Sequence, residues 1–345
     1  MAPDVVVVGA SAGGVESLRG FVAGLAPGLK ASVVIVLHVS ATAPSMLPTI
    51  LGRVSALPVK GATDHEELQH GRILVAAPDH HLVVTDGHVG LSRGPRENGH
   101  RPAIDVLFRS AAVACGERVV GVILSGALDD GTAGMGAVRR MGGSVLAQSP
   151  DEAAYPSMPA SVIRAVGADL VGTVSELAAA VNELTESTES TRPPDVSSDE
   201  LLSEEVRMAT MDDAAFEDPE RPGRPAGFSC PDCSGTLFEI DDSGLLRFRC
   251  RVGHAWSPDS LLAAQTKELE GALWMAFRSL EEKAALSRQL AARAGERGNR
   301  LTEQRYLGKA DEASRSASVL KQVLEQPLGR LPVEDAVEEK DVEQV

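Results

Sequence analysis

Val5-Val6-Val7-Val8 runs without polar interruption into Gly9-Ala10-Ser11-Ala12-Gly13-Gly14, after which Val15, Leu18, Phe21, Val22 and Leu25 recur at helical spacing. A β-branched run that does not alternate is the pattern of a strand buried on both faces, so this stretch predicts a strand, a tight turn and a helix. The same grammar repeats down the chain. Residues 33–37, ending in His38, predict a second buried strand, residues 119–125 a third and residues 144–148 a fourth. Helices are expected over 45–51, 104–115, 132–141, 158–166 and 174–184. This alternation predicts an α/β fold: a doubly wound, mostly parallel sheet with helices on both faces, over residues 1–182. The first two strands, joined by one helix, should be parallel neighbours, which brings Ser11 and His38 out at the same sheet edge. Between residues 73 and 93 the short runs Ile73-Leu74-Val75, Leu82-Val83-Val84 and Val89-Gly90-Leu91 are separated by Pro78-Asp79 and Asp86-Gly87 turns, the pattern of a small antiparallel insertion.

The pattern then changes. Residues 183–227 are rich in Ser, Thr, Glu, Asp and Pro, and are expected to be a disordered acidic linker in which 201–211 could form a short helix. Residues 228–256 form a compact cysteine-containing module with Phe228, Phe238, Phe248 and Trp256. Residues 257–330 carry two leucine stripes, from Leu262 to Leu290 and from Leu301 to Leu324, and predict a helical hairpin turning at 295–299. Residues 331–345 read as a loose acidic tail.

Composition narrows the function. A net charge of −16 over 345 residues excludes a general nucleic-acid or anionic-membrane binder, since such proteins need excess Lys and Arg. No basic leader precedes the Val run, which is too short to span a membrane, so a cytoplasmic protein without membrane insertion is expected. Of four cysteines, Cys115 stands alone, while Cys230-Pro-Asp-Cys233, sixteen residues, then Cys250-Arg-Val-Gly-His254 has zinc-ribbon spacing. Cys230, Cys233, Cys250 and His254 would close a tetrahedral Zn²⁺ site with no open position, making the metal structural. The alternative is an apolar module with inert buried thiols.

The strand tips carry the remaining chemistry. A dinucleotide site predicts Gly-x-Gly-x-x-Gly and an acidic residue ending the second strand, and neither is present. Gly9-Ala10-Ser11-Ala12-Gly13 instead matches Gly-x-Ser-x-Gly in a strand-turn-helix setting that exposes a nucleophile beside helix N-terminal amides. His38 stands where a general base is needed, and the third strand ends in Asp129-Asp130, either of which could orient it. The bland readings are a helix N-cap at Ser11 and a cap of the helix near Thr132 at Asp129.

Residues 5–182 resemble the catalytic domain of bacterial chemotaxis protein-glutamate methylesterases of the CheB type. The motifs GASAGG, VIVLHVS, RPAIDVLFRSAA, LSGALDDGTAGM and LAQSPDEAAYPSMPASVI carry the likeness in order. The resemblance implies a serine hydrolase that releases methanol from glutamate γ-methyl esters of chemoreceptors and can deamidate certain glutamines. It implies Ser11 as nucleophile, His38 as base and Asp130 in the acidic role, with no cofactor for catalysis. The amides of Ala12 and Ala127 are the expected oxyanion donors, although Ala12 replaces a common Thr and Ala127 a usual Met. Arg101 is a candidate to receive an acidic receptor helix, its alternative being a solvated residue at a helix start. The catalytic strand opens the sequence, so control by a receiver domain in cis is not expected. The C-terminal stripes suggest partner binding or self-association. The competing functional reading is a catalytically weak esterase-like domain serving as a regulatory binding module.

Overall fold

The computed structural model describes residues 2–42, 45–186, 200–217 and 223–325. Its centre is a seven-stranded parallel sheet. In chain order the main elements are β1 (Val5–Ala10), α1 (Gly14–Ala23), β2 (Ser32–Leu37), α2 (Leu47–Gly52), β3 (Val59–Gly61), β4 (Glu66–Glu67), β5 (Arg72–Val75), β6 (His81–Thr85) and β7 (His88–Ser92). There follow α3 (Ile104–Cys115), β8 (Val119–Ile123), α4 (Thr132–Arg140), β9 (Ser144–Gln148), α5 (Ser157–Ala165), β10 (Leu170–Gly172) and α6 (Val174–Glu186). The sheet order is β10-β9-β8-β1-β2-β5-β3. Val5 pairs in parallel with Ser32 on one side and Val119 on the other, so the tips of β1, β2 and β8 share one edge as expected.

Because β1 has no alternation, both of its faces are buried. Val6 and Val8 join Leu18, Phe21 and Val22 of α1 and Leu177 and Val181 of α6, while Val5 and Val7 join Ile104, Leu107 and Phe108 of α3 with Met135, Met158 and Val162. The antiparallel insertion is smaller than its pattern suggested. Ile73 to Val75 lie in β5 of the parallel sheet, paired to β2 and to the short β3, and only β4, β7 and β6 form a separate antiparallel sheet. A three-residue run buried on both faces carries no periodicity that distinguishes the two arrangements.

The acidic stretch holds the short helix allowed for over 201–211 and, beyond that expectation, a second one and several buried residues. Helices α7 (Glu200–Ala209) and α8 (Asp213–Glu217) form within it. Leu202, Glu205, Met208 and Ala209 are buried, with Ala209 joining Val83, Ala103 and Val106 in a small core. The cysteine module follows as an antiparallel sheet of β11 (Arg224–Ser229), β12 (Thr236–Asp242), β13 (Leu245–Cys250) and β14 (Ala255–Trp256). It does not stand alone: residues up to Leu261 form one compact unit with the parallel sheet, and a second unit begins at Leu262.

That second unit is built from α9 (Pro258–Glu296), which enters it from the first unit, and α10 (Arg300–Leu324), which is N-capped by Asn299. Of the two expected leucine stripes, Leu273, Leu280, Leu290, Leu320 and Leu324 are half-buried, but the most deeply buried positions belong to alanine. Ala284, Ala291 and Ala294 of α9 and Ala310, Ala313 and Ala317 of α10 are buried, Arg288 Nη2 donates to Ser314 Oγ at 2.6 Å, and Leu262, Leu269, Leu286, Leu301 and Leu307 are exposed. The tail expected at 331–345 lies outside the described residues. Among the described residues no helix is long and apolar enough to cross a membrane.

Candidate active site

Ser11 follows β1 directly. Gly13 adopts φ 69°, which a side chain would strain, and a Cβ there would meet Ser125 Oγ and Ala154 Cβ at 2.8 Å. Ser125, at the tip of β8, clamps the turn: its carbonyl accepts the Ser11 N–H at 2.9 Å and its hydroxyl donates to the Ala12 carbonyl at 2.8 Å. Nothing in the sequence pattern singled Ser125 out; its place beside the second small-residue turn was the available signal. No group among the described residues accepts from the Ala12 or Ala127 N–H.

His38 bridges two tips. Its Nδ1 lies 3.0 Å from Ser11 Oγ and its Nε2 lies 2.7 Å from Asp130 Oδ2. An anionic Asp130 fixes the tautomer, with Nε2–H facing the carboxylate and the Nδ1 lone pair facing the serine hydroxyl. Asp130 is 2% exposed and sits at the N-terminus of α3, accepting the Ile104 N–H at 2.7 Å and the Asp105 N–H at 3.3 Å. Asn98 Nδ2 donates to its other oxygen at 2.9 Å. Burial alone would raise the Asp130 carboxyl. The His38 hydrogen bond, the positive charge that His38 and His100 can carry and the Ile104 amide outweigh it and hold the carboxyl well below the usual range.

The alternative left open between two aspartates is resolved by position. Asp129 Oδ1 accepts from Ser257 Oγ at 2.6 Å and from Ser260 Oγ at 3.0 Å, away from the imidazole. The helix at Thr132 is met by the Asp129 backbone carbonyl, not its carboxylate. Arg101 is tied down: Nε and Nη2 donate to Asp79 Oδ1 at 3.0 and 2.7 Å, and Nη1 to the carbonyls of Arg93 and Gly94.

Two residues that sequence reasoning missed complete the site. His100 stacks on His38 with ring centroids 3.6 Å apart and planes within 9°. Burial and the neighbouring His38 charge push the His100 imidazole down to about 4. Asn98 and His100 lie in an aperiodic loop, Glu97-Asn-Gly-His-Arg-Pro102; the signal there was a cluster of polar residues immediately before an apolar helix.

In the module, the ligand atoms of Cys230, Cys233, Cys250 and His254 all lie within 4.8 Å of one another, with Cys250 Sγ 3.6 Å from both Cys233 Sγ and His254 Nδ1. Three thiol sulfurs and one imidazole nitrogen converging at this spacing fit a tetrahedral Zn²⁺, and they are the one such group among the described residues. Cys115 is buried and separate.

A serine, an imidazole and a buried carboxylate in one hydrogen-bonded line, at the strand tips of a doubly wound parallel sheet, define a serine-hydrolase type of site. A family model for CheB methylesterase matches residues 6–181, and the chain belongs to that family. A Leptospira interrogans relative is 34% identical over 176 residues, covering 51% of this chain and 91% of that protein. A protein-glutamate methylesterase/protein-glutamine glutaminase of Anaeromyxobacter dehalogenans is 39% identical over 171 residues, 48% of this chain and 47% of the relative. The crystal structure of the Thermotoga maritima CheB methylesterase catalytic domain superposes with a TM-score of 0.50 at 32% identity, covering 53% of this chain and all of that one.

Proposed function

We propose that this protein is a protein-glutamate methylesterase that releases methanol from glutamate γ-methyl esters on a helical chemoreceptor-like protein. The observation that carries it is the unbroken line from Ser11 Oγ to His38 Nδ1 at 3.0 Å and from His38 Nε2 to Asp130 Oδ2 at 2.7 Å. Ser11 Oγ attacks the ester carbonyl while His38 Nδ1 takes its proton. The N–H groups of Ala12 and Ala127 receive the oxyanion; both donors are backbone, so loss of the usual Thr and Met side chains leaves them in place. His38 returns the proton to the departing methoxide, giving methanol and a glutamyl ester on Ser11. Water, deprotonated by His38, then hydrolyses that ester to free glutamate and restores Ser11. Asp130 stays ionised and stabilises the imidazolium in both halves. The same steps with ammonia leaving would deamidate glutamine, the second activity in the relatives' name.

Cys230, Cys233, Cys250 and His254 would hold a structural zinc ion, whose closed ligand set supplies folding energy and no open coordination position. Arg101 acts on its own loop through Asp79 instead of on substrate. The cytoplasm is the compartment where reduced thiols of this kind hold zinc, and the outward leucines of α9 and α10 are the surface on which a partner or second copy would dock.

The test is labelling by a fluorophosphonate together with methanol release from a methylated receptor. Wild type should label and turn over, and Ser11→Ala should do neither. A folded wild type that does not label would return the chain to the alternative reading, a regulatory binding module. Much faster cleavage of a chromogenic acetate than of a methylated receptor helix would make it a general esterase.

A further inference from the structure

We propose that Asn98 is a positioning residue for the Asp130 carboxylate and that the Cys3His module, through Ala255 to Ser257, holds Asn98 in place. The module is then a working part of the esterase site, not an appendage; this rests on the esterase reading above.

Asn98 is 7% exposed, and both ends of its side-chain amide are used. Nδ2 donates to Asp130 Oδ1 at 2.9 Å and to Asp105 Oδ2 at 3.1 Å, while Oδ1 accepts the Ser257 N–H at 2.8 Å. A backbone N–H only donates, so Ser257 dictates that the amide oxygen face the module and the amide nitrogen face the triad. The backbone repeats the tie. Asn98 N–H donates to the Ala255 carbonyl at 2.8 Å, and Ala255 N–H donates to the Arg96 carbonyl at 3.2 Å. Residues 96–98 are thus paired, strand-like, with the last strand of the module, and Glu97 adds an ion pair to Arg249 of β13 at 3.0 Å.

The ligand His254 immediately precedes Ala255. Its carbonyl accepts the Cys250 N–H at 3.0 Å, so the turn that brings His254 to Cys250 also aims Ala255–Ser257 at Asn98. Trp256 spans the two regions. It is 3% exposed in β14, and its ring lies 3.4 Å from where a Cβ on Gly99 would stand. One residue further on, His100 stacks on His38. A single segment, residues 96–100, therefore meets the module on one side and both the acid and the base of the triad on the other.

The experiment uses the full chain, as purified and after chelation, with metal content measured in each case. Asn98 has φ 52°, so Asn98→Gly removes the amide without backbone strain. This variant should lose about tenfold in kcat, the scale of one hydrogen bond to a charged group, with KM within about twofold. Stripping metal from wild type should speed backbone hydrogen exchange at 96–100 and 255–257 and lower kcat by a similar factor. Stripping Asn98→Gly should change kcat no further. Should stripping unfold the chain, Ser257→Pro deletes the N–H while keeping all four ligands, and should reproduce the kcat loss with metal retained. The proposal is overturned if Asn98→Gly keeps the wild-type kcat, if metal loss and Asn98→Gly lower kcat additively, or if the protein purifies without metal and is fully active. A metal-loaded wild type that neither labels nor releases methanol overturns the esterase reading itself, whereas an active enzyme indifferent to these changes overturns this proposal alone.

Discussion

Two buried charge networks lie against α3, and only one of them ends on a hydroxyl. At the α3 N-terminus the Asp130 carboxylate is surrounded by N–H donors from His38, Ile104, Asp105 and Asn98, shares the Asn98 donor with the buried Asp105 carboxylate, and reaches through His38 to a partly exposed Ser11 hydroxyl. Further along, Arg109 of α3, Glu97, Glu205 of α7, and Arg247, Arg249 and Asp242 of the module form a buried set of three guanidinium groups and three carboxylates, which the half-buried Arg140 of α4 joins from outside through Asp242 at 2.9 Å. Glu205 meets Arg249 at 2.8 Å and Arg247 at 2.6 Å, and every member is at most 6% exposed. Burial works against both its carboxylates and its guanidinium groups, but their mutual charges keep Glu97 and Glu205 low and Arg109 and Arg247 high. Buried charge becomes a reactive site where one member passes its polarity to a group that substrate can reach. Where carboxylates and guanidinium groups answer one another, buried charge joins parts of the fold, here α3, α7 and the module.

The contrast breaks most sharply at Asp130. Asp130→Asn should lower kcat by about 10⁴, because the amide no longer holds the required tautomer or balances the imidazolium; steady-state methanol release measures this, and a loss below tenfold would remove Asp130 from the triad. Glu205→Ala should instead show itself in stability, costing about 3–5 kcal/mol by leaving Arg247 and Arg249 short of a partner in a buried place. Urea unfolding checks it, and a cost under about 1 kcal/mol would mean that water enters the cluster.

A finer test concerns His100. Its folded value of about 4 lies below the ordinary histidine value near 6.5, so in acid the unfolded chain takes up a proton that the folded one refuses. The stability this gives is complete above pH 6.5 and is lost as pH falls from there toward 4. His100→Gln should flatten that fall, measured as unfolding free energy between pH 7 and 5. His81, also lowered by burial, works in the same direction, so the slope should shrink without vanishing. The smallest effect is expected at Arg101. Arg101→Lys should cost about 1 kcal/mol of stability through its Asp79 and carbonyl partners and leave KM within about twofold. A tenfold rise in KM would restore the substrate-binding role that its sequence position suggested.

Much of this was legible in the chain because long apolar runs leave few choices. Val5–Val8, the run ending at His38 and the run ending before Asp129 could only be buried parallel strands, and parallel neighbours place their tips together. Which aspartate faces His38 was not legible from spacing, since adjacent residues at a turn point in different directions. Glu205 was hidden for another reason. In an acidic stretch a glutamate reads as solvated, yet this one occupies the buried stripe of α7 with Leu202 and Met208, neutralised by arginines distant in sequence. Leu262, Leu269, Leu286, Leu301 and Leu307 misled in the opposite sense: they are exposed, while alanines at helical spacing take the most buried positions.

The central claim is that Ser11 carries the glutamyl group between methanol release and hydrolysis. Rapid acid quench of wild type turning over a methylated receptor helix, followed by mass spectrometry of the peptide containing Ser11, tests it directly. A glutamyl adduct on Ser11 that forms with the methanol and is absent from Ser11→Ala is the predicted result; methanol release by Ser11→Ala at the wild-type rate would contradict it.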